Sequence, residues 1–241
     1  MLFITHDIDW ISPLHPYSLA KVFTHGKKWI GLSKVIQPDI FIRHIEKLVS
    51  FNQSHQVNAI WLSGAPQKHS FQKFGLRYTA DCPSYKTALN MLLEAGCEIG
   101  LHSVNTESFA RQTIALSELT RQPIHYHRSH YLKFDENSLF KNLQQQHIKT
   151  DFSLGNARKI DLPSQMPVIT YGINCVPTLL FDNAFFFNDP KDVLHQFKQK
   201  INEANMLKQD VAILFHPENF AVNPALWDYY EEVISIVEEL S

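Results

Sequence analysis

The chain has 241 residues, 44% of them hydrophobic and 19% charged, which is the make-up of an ordinary soluble globular protein and suits one large α/β domain as readily as two small ones. A formal net charge of -2 argues against a general nucleic-acid binder, which would carry a basic excess. No apolar run reaches the roughly 20 residues of a membrane span, no signal peptide precedes the first strand, and Cys82, Cys97 and Cys175 share no CxxC spacing, so a cytoplasmic protein with reduced thiols is expected.

Leu2 to Thr5 are β-prone and run into His6, Asp7 and Asp9. The i, i+2 spacing puts both carboxylates on one face at the strand's C-terminal end, where their repulsion calls for a shared proton, a cation or solvent. A polar, aromatic connection from Trp10 to about Gln37 follows, and Pro38 opens a helix with Phe41, Ile45, Leu48 and Val49 at helical spacing, ending near Gln56. Asn58 to Ser63 is the second strand, with Trp61 in the core. A polar loop over 67–81 leads to a helix started by Asp81 and stopped by Gly96. Cys97 to Ser103 is a short strand delivering His102 and Ser103, and a helix from Glu107 to about Thr120 comes next. In His125 to Leu132, alternation places Tyr126, Arg128 and His130 on one face and His125, His127, Ser129 and Tyr131 on the other. Asp135 caps a helix ending near His147, and Ile148 to Phe152 is a strand with Asp151 near its end. Residues 156–175 carry no clear pattern. Val176 to Leu180 is a strand closed by Asp182 and Asn183, Asp189-Pro190 starts a helix, Val211 to Phe215 delivers His216, Pro217 and Glu218, and Asn223-Pro224 opens the terminal helix.

Alternating strands and helices argue for a parallel sheet, and polar residues gathered at one end of about seven strands favour a TIM-like barrel over a nucleotide-binding sheet. No GxGxxG or Walker-type glycine loop opposes that choice, and Gly64 and Gly100 stand too isolated to cradle a phosphate. A barrel converges Asp7, Asp9, His102, His130 and His216 on one mouth. Carboxylate and imidazole ligands of this kind suit a divalent metal such as zinc, with an open position for water and a base and an acid beside it.

The sequence resembles the polysaccharide deacetylase family, also called the NodB-homology domain or carbohydrate esterase family 4, and within it the cytoplasmic branch associated with surface-polysaccharide and lipopolysaccharide biosynthesis. The resemblance runs over the full chain, 1–241, as a single domain. It implies a distorted parallel (β/α) barrel. Thr5-His6-Asp7-Ile8-Asp9 resembles the first motif, which implies Asp7 as general base and Asp9 as metal ligand; Glu98 to Ser103 resembles the metal-binding motif, with His102 as its first histidine. Arg128 resembles the arginine that orients the base, and His216 in Leu214-Phe215-His216 the histidine that acts as general acid. The second motif histidine is replaced by Thr106, so His130, or His6, is needed to complete the ligand set. Asp151 stands as an orienting acid in a loose fourth motif, and Asp182 is a further acid that could support the site from behind. The implied activity is hydrolysis of an N-acetyl group on a sugar or glycan precursor, dependent on a divalent metal such as zinc. A catalytically silent sugar-binding or scaffold protein on the same barrel, and a metal-dependent hydrolase of another amide or ester, are the alternatives.

Overall fold

The computed structural model describes residues 1–9, 39–65, 82–103, 109–132, 136–162 and 172–240. In chain order these form β1 (Leu2–Ile8), α1 (Ile40–Ser54), β2 (Ala59–Ser63), α2 (Pro83–Glu94), β3 (Glu98–Ser103), α3 (Phe109–Thr120), β4 (Tyr126–Ser129), α4 (Glu136–Gln145), β5 (Thr150–Asp151), β6 (Asn174–Cys175), β7 (Thr178–Phe181), α5 (Ala184–Phe187), α6 (Pro190–Met206), β8 (Val211–Leu214), α7 (Pro217–Val222) and α8 (Leu226–Leu240). The long loops expected after β1 and β2, the helix openings at Pro38, Asp81, Glu107 and Asp135, and Thr106 lie outside the described residues.

The strands form one eight-stranded sheet in the order β6-β5-β4-β3-β2-β1-β8-β7, and every pairing is parallel. Helices such as α1, α2 and α3 return the chain between neighbouring strands, as parallel pairing requires. β6 and β7 are successive pieces of residues 174–181, so the eight strands make about seven staves. Around Pro177 and Thr178 the two ends of the ladder meet: Thr178 N–H donates to Leu154 O at 2.7 Å, and Ala212 N–H donates to Pro177 O at 2.8 Å. Gly155 bridges Thr178 there. The result is the barrel the strand pattern predicts, with the distortion the family resemblance implies.

Strand alternation divides the side chains. Ile4, Ile8, Trp61, Ile99, Leu101 and Ile213 point outward into the main core, against Ile45 and Leu48 of α1, Leu89 and Leu92 of α2 and Leu116 of α3. Ile60, Leu62, Phe152, Val176 and Ala212 fill the interior with Phe3 and Tyr126 packed on them. Both faces are therefore covered, which explains strands that read as short apolar runs. Gly100 faces inward where a Cβ would lie 2.4 Å from Leu62 Cδ2 and 2.8 Å from Tyr126 Cβ, so β3 can approach β4 only without a side chain at that position. Asp189 caps α6 as its sequence predicts, accepting from Lys191 N–H at 2.8 Å with Pro190 at the first helical position. Among the described residues no helix is long and apolar enough to cross a membrane.

Two elements differ from the sequence reading. β4 stops at Ser129, and His130 to Leu132 form a 3₁₀ turn, so His130 reaches the pocket from a turn and not from continued strand alternation. The unassigned stretch 156–175 ends in β6, a strand of two residues too short to leave a periodic signal.

Candidate metal and catalytic site

Thr5 and Asp7 lie on the inner face of β1 and Asp9 just past its C-terminal end, while His6 points outward. His6 Nδ1–H donates to Phe215 O at 3.0 Å, Nε2 accepts from Asn52 Nδ2 at 3.2 Å, and the ring packs on Trp61 at 4.4 Å. Burial lowers its pKa to about 4, with the Phe215 carbonyl and the Asp7 charge opposing only part of that shift. It is a neutral core histidine, held away from the mouth, and does not complete the ligand set.

Arg128 spans the barrel interior almost without exposure. Nη1 donates to Asp7 Oδ1 at 2.6 Å, Nη2 to Thr5 Oγ1 at 3.0 Å and Thr178 Oγ1 at 2.9 Å, and Nε to Phe152 O at 3.1 Å. Four acceptors on β1, β7 and the end of β5 thus fix the guanidinium, which balances the buried Asp7 carboxylate. The other Asp7 oxygen lies 3.6 Å from His102 Nδ1.

His102 Nδ1 is 3.1 Å from the Arg128 carbonyl. A carbonyl only accepts, so Nδ1 carries the proton and Nε2 is the atom offered to the mouth. His102 Nε2, His130 Nδ1 and Asp9 Oδ1 converge there: 2.8 Å between the two nitrogens, and 3.2 and 3.4 Å from them to the oxygen. Tetrahedral ligands at zinc-like bond lengths are separated by roughly 3.3–3.4 Å. Asp9 Oδ1 is a buried oxygen with no hydrogen-bond partner. The two nitrogen–oxygen separations match that spacing, and the 2.8 Å nitrogen–nitrogen contact is a hydrogen bond that an ion would replace. With the orphaned oxygen they fit a divalent cation held by Asp9, His102 and His130, a cluster whose ligand atoms all lie within 4.8 Å of one another. Burial would raise the Asp9 carboxyl, but the neighbouring His130 and His102 imidazoles outweigh it and hold the group well below the ordinary carboxylate range.

The second Asp9 oxygen lies 3.9 Å from His216 Nε2. His216 follows β8 and is fixed from behind by Asp182, whose Oδ1 accepts from Nδ1 at 2.9 Å and whose Oδ2 accepts from the His216 backbone N–H at 2.7 Å. Asn219 Nδ2 donates to the same Oδ2 at 2.9 Å. Burial disfavours the imidazolium, yet the charge and hydrogen bond of Asp182, with Asp9 and Glu218 adding to them, push His216 up to about 10. Asp182 itself is lowered, burial being outweighed by the His216 charge and by the bonds it accepts.

The structure therefore brings Asp7, Asp9, His102, Arg128, His130 and His216 to one mouth, and leaves Asp151 out of it. Asp151 faces outward, and its carboxylate accepts from His127 Nδ1 at 2.6 Å and from Ser153 Oγ at 2.7 Å. The parity of β5 explains this: Phe152 takes the inward position, so its neighbour cannot. Asp182 is the acid that orients a site residue. Sequence does not single out Thr5, Thr178 and Asn219 as supports of the site, because each acts through a group on another strand, the two threonines through Arg128 and Asn219 through Asp182.

No protein-family model matches this sequence, and neither does any curated protein. Among solved structures, a candidate polysaccharide deacetylase from Mycobacterium smegmatis aligns with 99% of this chain and 82% of its own, at 12% identity and a TM-score of 0.58. A mutant of a Bacillus anthracis carbohydrate esterase family 4 pseudoenzyme, described as having restored enzymatic activity, aligns with 97% of this chain at 11% identity and a TM-score of 0.52. The match spans 62% of that longer chain. At these identities the likeness is one of fold: the chain has the barrel of the polysaccharide deacetylase and carbohydrate esterase family 4 structures.

Proposed function

We propose that this protein is a metal-dependent hydrolase that removes an N-acetyl group from a sugar or glycan precursor. The observation that carries the proposal is the convergence of Asp9 Oδ1, His102 Nε2 and His130 Nδ1 within 3.4 Å of one another, with Asp7 and His216 flanking them. The fold alone does not decide, since a pseudoenzyme shares it.

Asp9, His102 and His130 would hold the ion, His130 replacing the imidazole that Thr106 cannot supply. A divalent ion bound there supplies Lewis acidity, acidifying water and polarising the amide carbonyl. Asp7, fixed by Arg128, accepts the proton of the attacking water. His216 is protonated at neutral pH because of Asp182, and it donates to the departing amine nitrogen. Water adds to the carbonyl carbon, the C–N bond breaks, and acetate and the free amino sugar leave.

Elemental analysis of the purified protein, paired with acetate release from N-acetylated sugars, tests this reading. About one zinc or similar ion per chain is expected, lost in Asp9→Ala, His102→Ala and His130→Ala. Asp7→Asn should keep the metal and lose on the order of 10²–10⁴-fold in rate. A native protein that takes up no divalent metal on titration at neutral pH would refute the mechanism and favour a silent sugar-binding protein.

A further inference from the structure

A second polar chain crosses three strands on the outer face of the sheet, offset by one residue from the site. Ser103 follows His102 on β3, His127 precedes Arg128 on β4, and Asp151 ends β5. His127 Nδ1–H donates to Asp151 Oδ1 at 2.6 Å, which leaves Nε2 to accept from Ser103 Oγ–H at 2.7 Å. Ser153 holds the carboxylate through its hydroxyl at 2.7 Å and its N–H at 3.2 Å, and accepts from Ser129 N–H at 2.8 Å. The Phe109 ring of α3 meets His127 edge-on at 5.1 Å. These are the residue types of a nucleophilic triad. Ser103 is only 3% exposed, however, and His127 and Asp151 are fully buried, so no substrate reaches the hydroxyl.

We infer that Ser103, His127 and Asp151 are positioning residues that set the orientation of His102, an inference that builds on the metal-site reading above. In the β3–β4 register His102 lies opposite Arg128, with Leu101 opposite His127 and Ser103 opposite Ser129. On the inner face His102 Nδ1–H donates to Arg128 O, and on the outer face, one residue along, Ser103 donates to His127. The two strands are thus stitched on both faces at the point where His102 must present a bare Nε2. Removing the outer stitch leaves the backbone ladder alone to hold the end of β3 against β4, so the His102 Nδ1–Arg128 O hydrogen bond loosens and the proton is shared with Nε2. Asp151 anchors the stitch by fixing the His127 tautomer, without which Nε2 of His127 would no longer accept.

The test is imidazole ¹⁵N–¹H NMR on the metal-free protein, comparing wild type with Ser103→Ala, Asp151→Asn and Ser103→Thr. His102 should be the Nδ1–H tautomer in wild type, a mixture in Ser103→Ala and Asp151→Asn, and restored in Ser103→Thr. Zinc affinity, by chelator competition, should fall about tenfold in the first two variants and recover in the third. Ser103→Ala removes one hydroxyl, so the result stands on it should Asp151→Asn fail to fold. A His102 tautomer unchanged in Ser103→Ala would overturn the inference, and so would stoichiometric labelling of Ser103 by a fluorophosphonate. Because the tautomer is read without metal, a wild-type protein that binds no zinc would defeat the metal reading and leave this result decisive on its own.

Discussion

His216 shows how much one neighbour decides. Its imidazole is largely buried, a setting that by itself favours the neutral ring, yet the Asp182 carboxylate at 2.9 Å reverses the preference and raises the pKa to about 10. Asp182→Asn removes the anion and keeps a hydrogen-bonding oxygen. The alkaline limb of the rate profile should then move to lower pH by about one to three units, the scale of one opposite charge at hydrogen-bond distance. A profile with an unmoved alkaline limb would remove His216 from the acid role. His6 titrates in the opposite sense. Its folded pKa of about 4 lies below the ordinary 6.5, so the unfolded chain takes up a proton first as pH falls. The stability tied to its burial is complete above 6.5 and drains away toward pH 4, about 3 kcal/mol in all. For His216 the folded pKa is the higher one, so its contribution is complete below 6.5 and is lost as pH rises through about 10. Urea denaturation of the metal-free protein across this range should therefore peak near pH 6.5. His6→Gln should flatten the acid side and Asp182→Asn the alkaline side.

At the scale of elements, the barrel depends on how closely neighbouring strands can approach, and Gly100 marks one such close approach. An added methyl would meet Leu62 Cδ2 at 2.4 Å, Tyr126 Cβ at 2.8 Å and Tyr126 O at 2.9 Å, the last being backbone that cannot rotate away. Gly100→Ala should cost about 1–3 kcal/mol by overpacking, seen as a lower denaturation midpoint with an unchanged slope. Nothing in the sequence around Gly100 announces this, because the colliding atoms belong to β2 and β4. The same limit explains what was and was not legible elsewhere. Strands that end in His102 or His216 could be read locally, since a short apolar run closing on a polar residue is a pattern within one segment. Arg128 follows from the alternation after His125, whereas His130 reaches the mouth because β4 gives way to a 3₁₀ turn, which alternation does not foresee. The partners could not be read this way. Asp182 serves His216 only because β7 lies beside β8, and Asp151 misses the pocket only because Phe152 holds the inward position. Strand order and facing are properties of the assembled sheet.

The whole molecule carries its proposed ligand set on elements far apart in sequence: Asp9 just past β1, His102 on β3, and His130 in the turn after β4. In the sheet, β2 separates β1 from β3, so an ion at the mouth would tie staves that otherwise meet only through the barrel's interior. Such an ion also relieves a local cost, because Asp9 Oδ1 is buried without a hydrogen bond and two imidazole nitrogens crowd it. Binding to the folded state alone stabilises by mass action, about 2.7 kcal/mol at a hundredfold excess of zinc over its dissociation constant. For a chain of this size that corresponds to roughly 5–10 °C in Tm. Calorimetry with and without zinc should show the rise in wild type, its reversal by a chelator, and its loss in His130→Ala. Retention of the full rise in His130→Ala, with loss in Asp9→Ala and His102→Ala, would mean that the third ligand is another residue. A rise surviving in all three variants would place the ion elsewhere on the protein. The His130 variant is therefore the informative one, since His130 is the ligand proposed to stand in for the imidazole missing at Thr106.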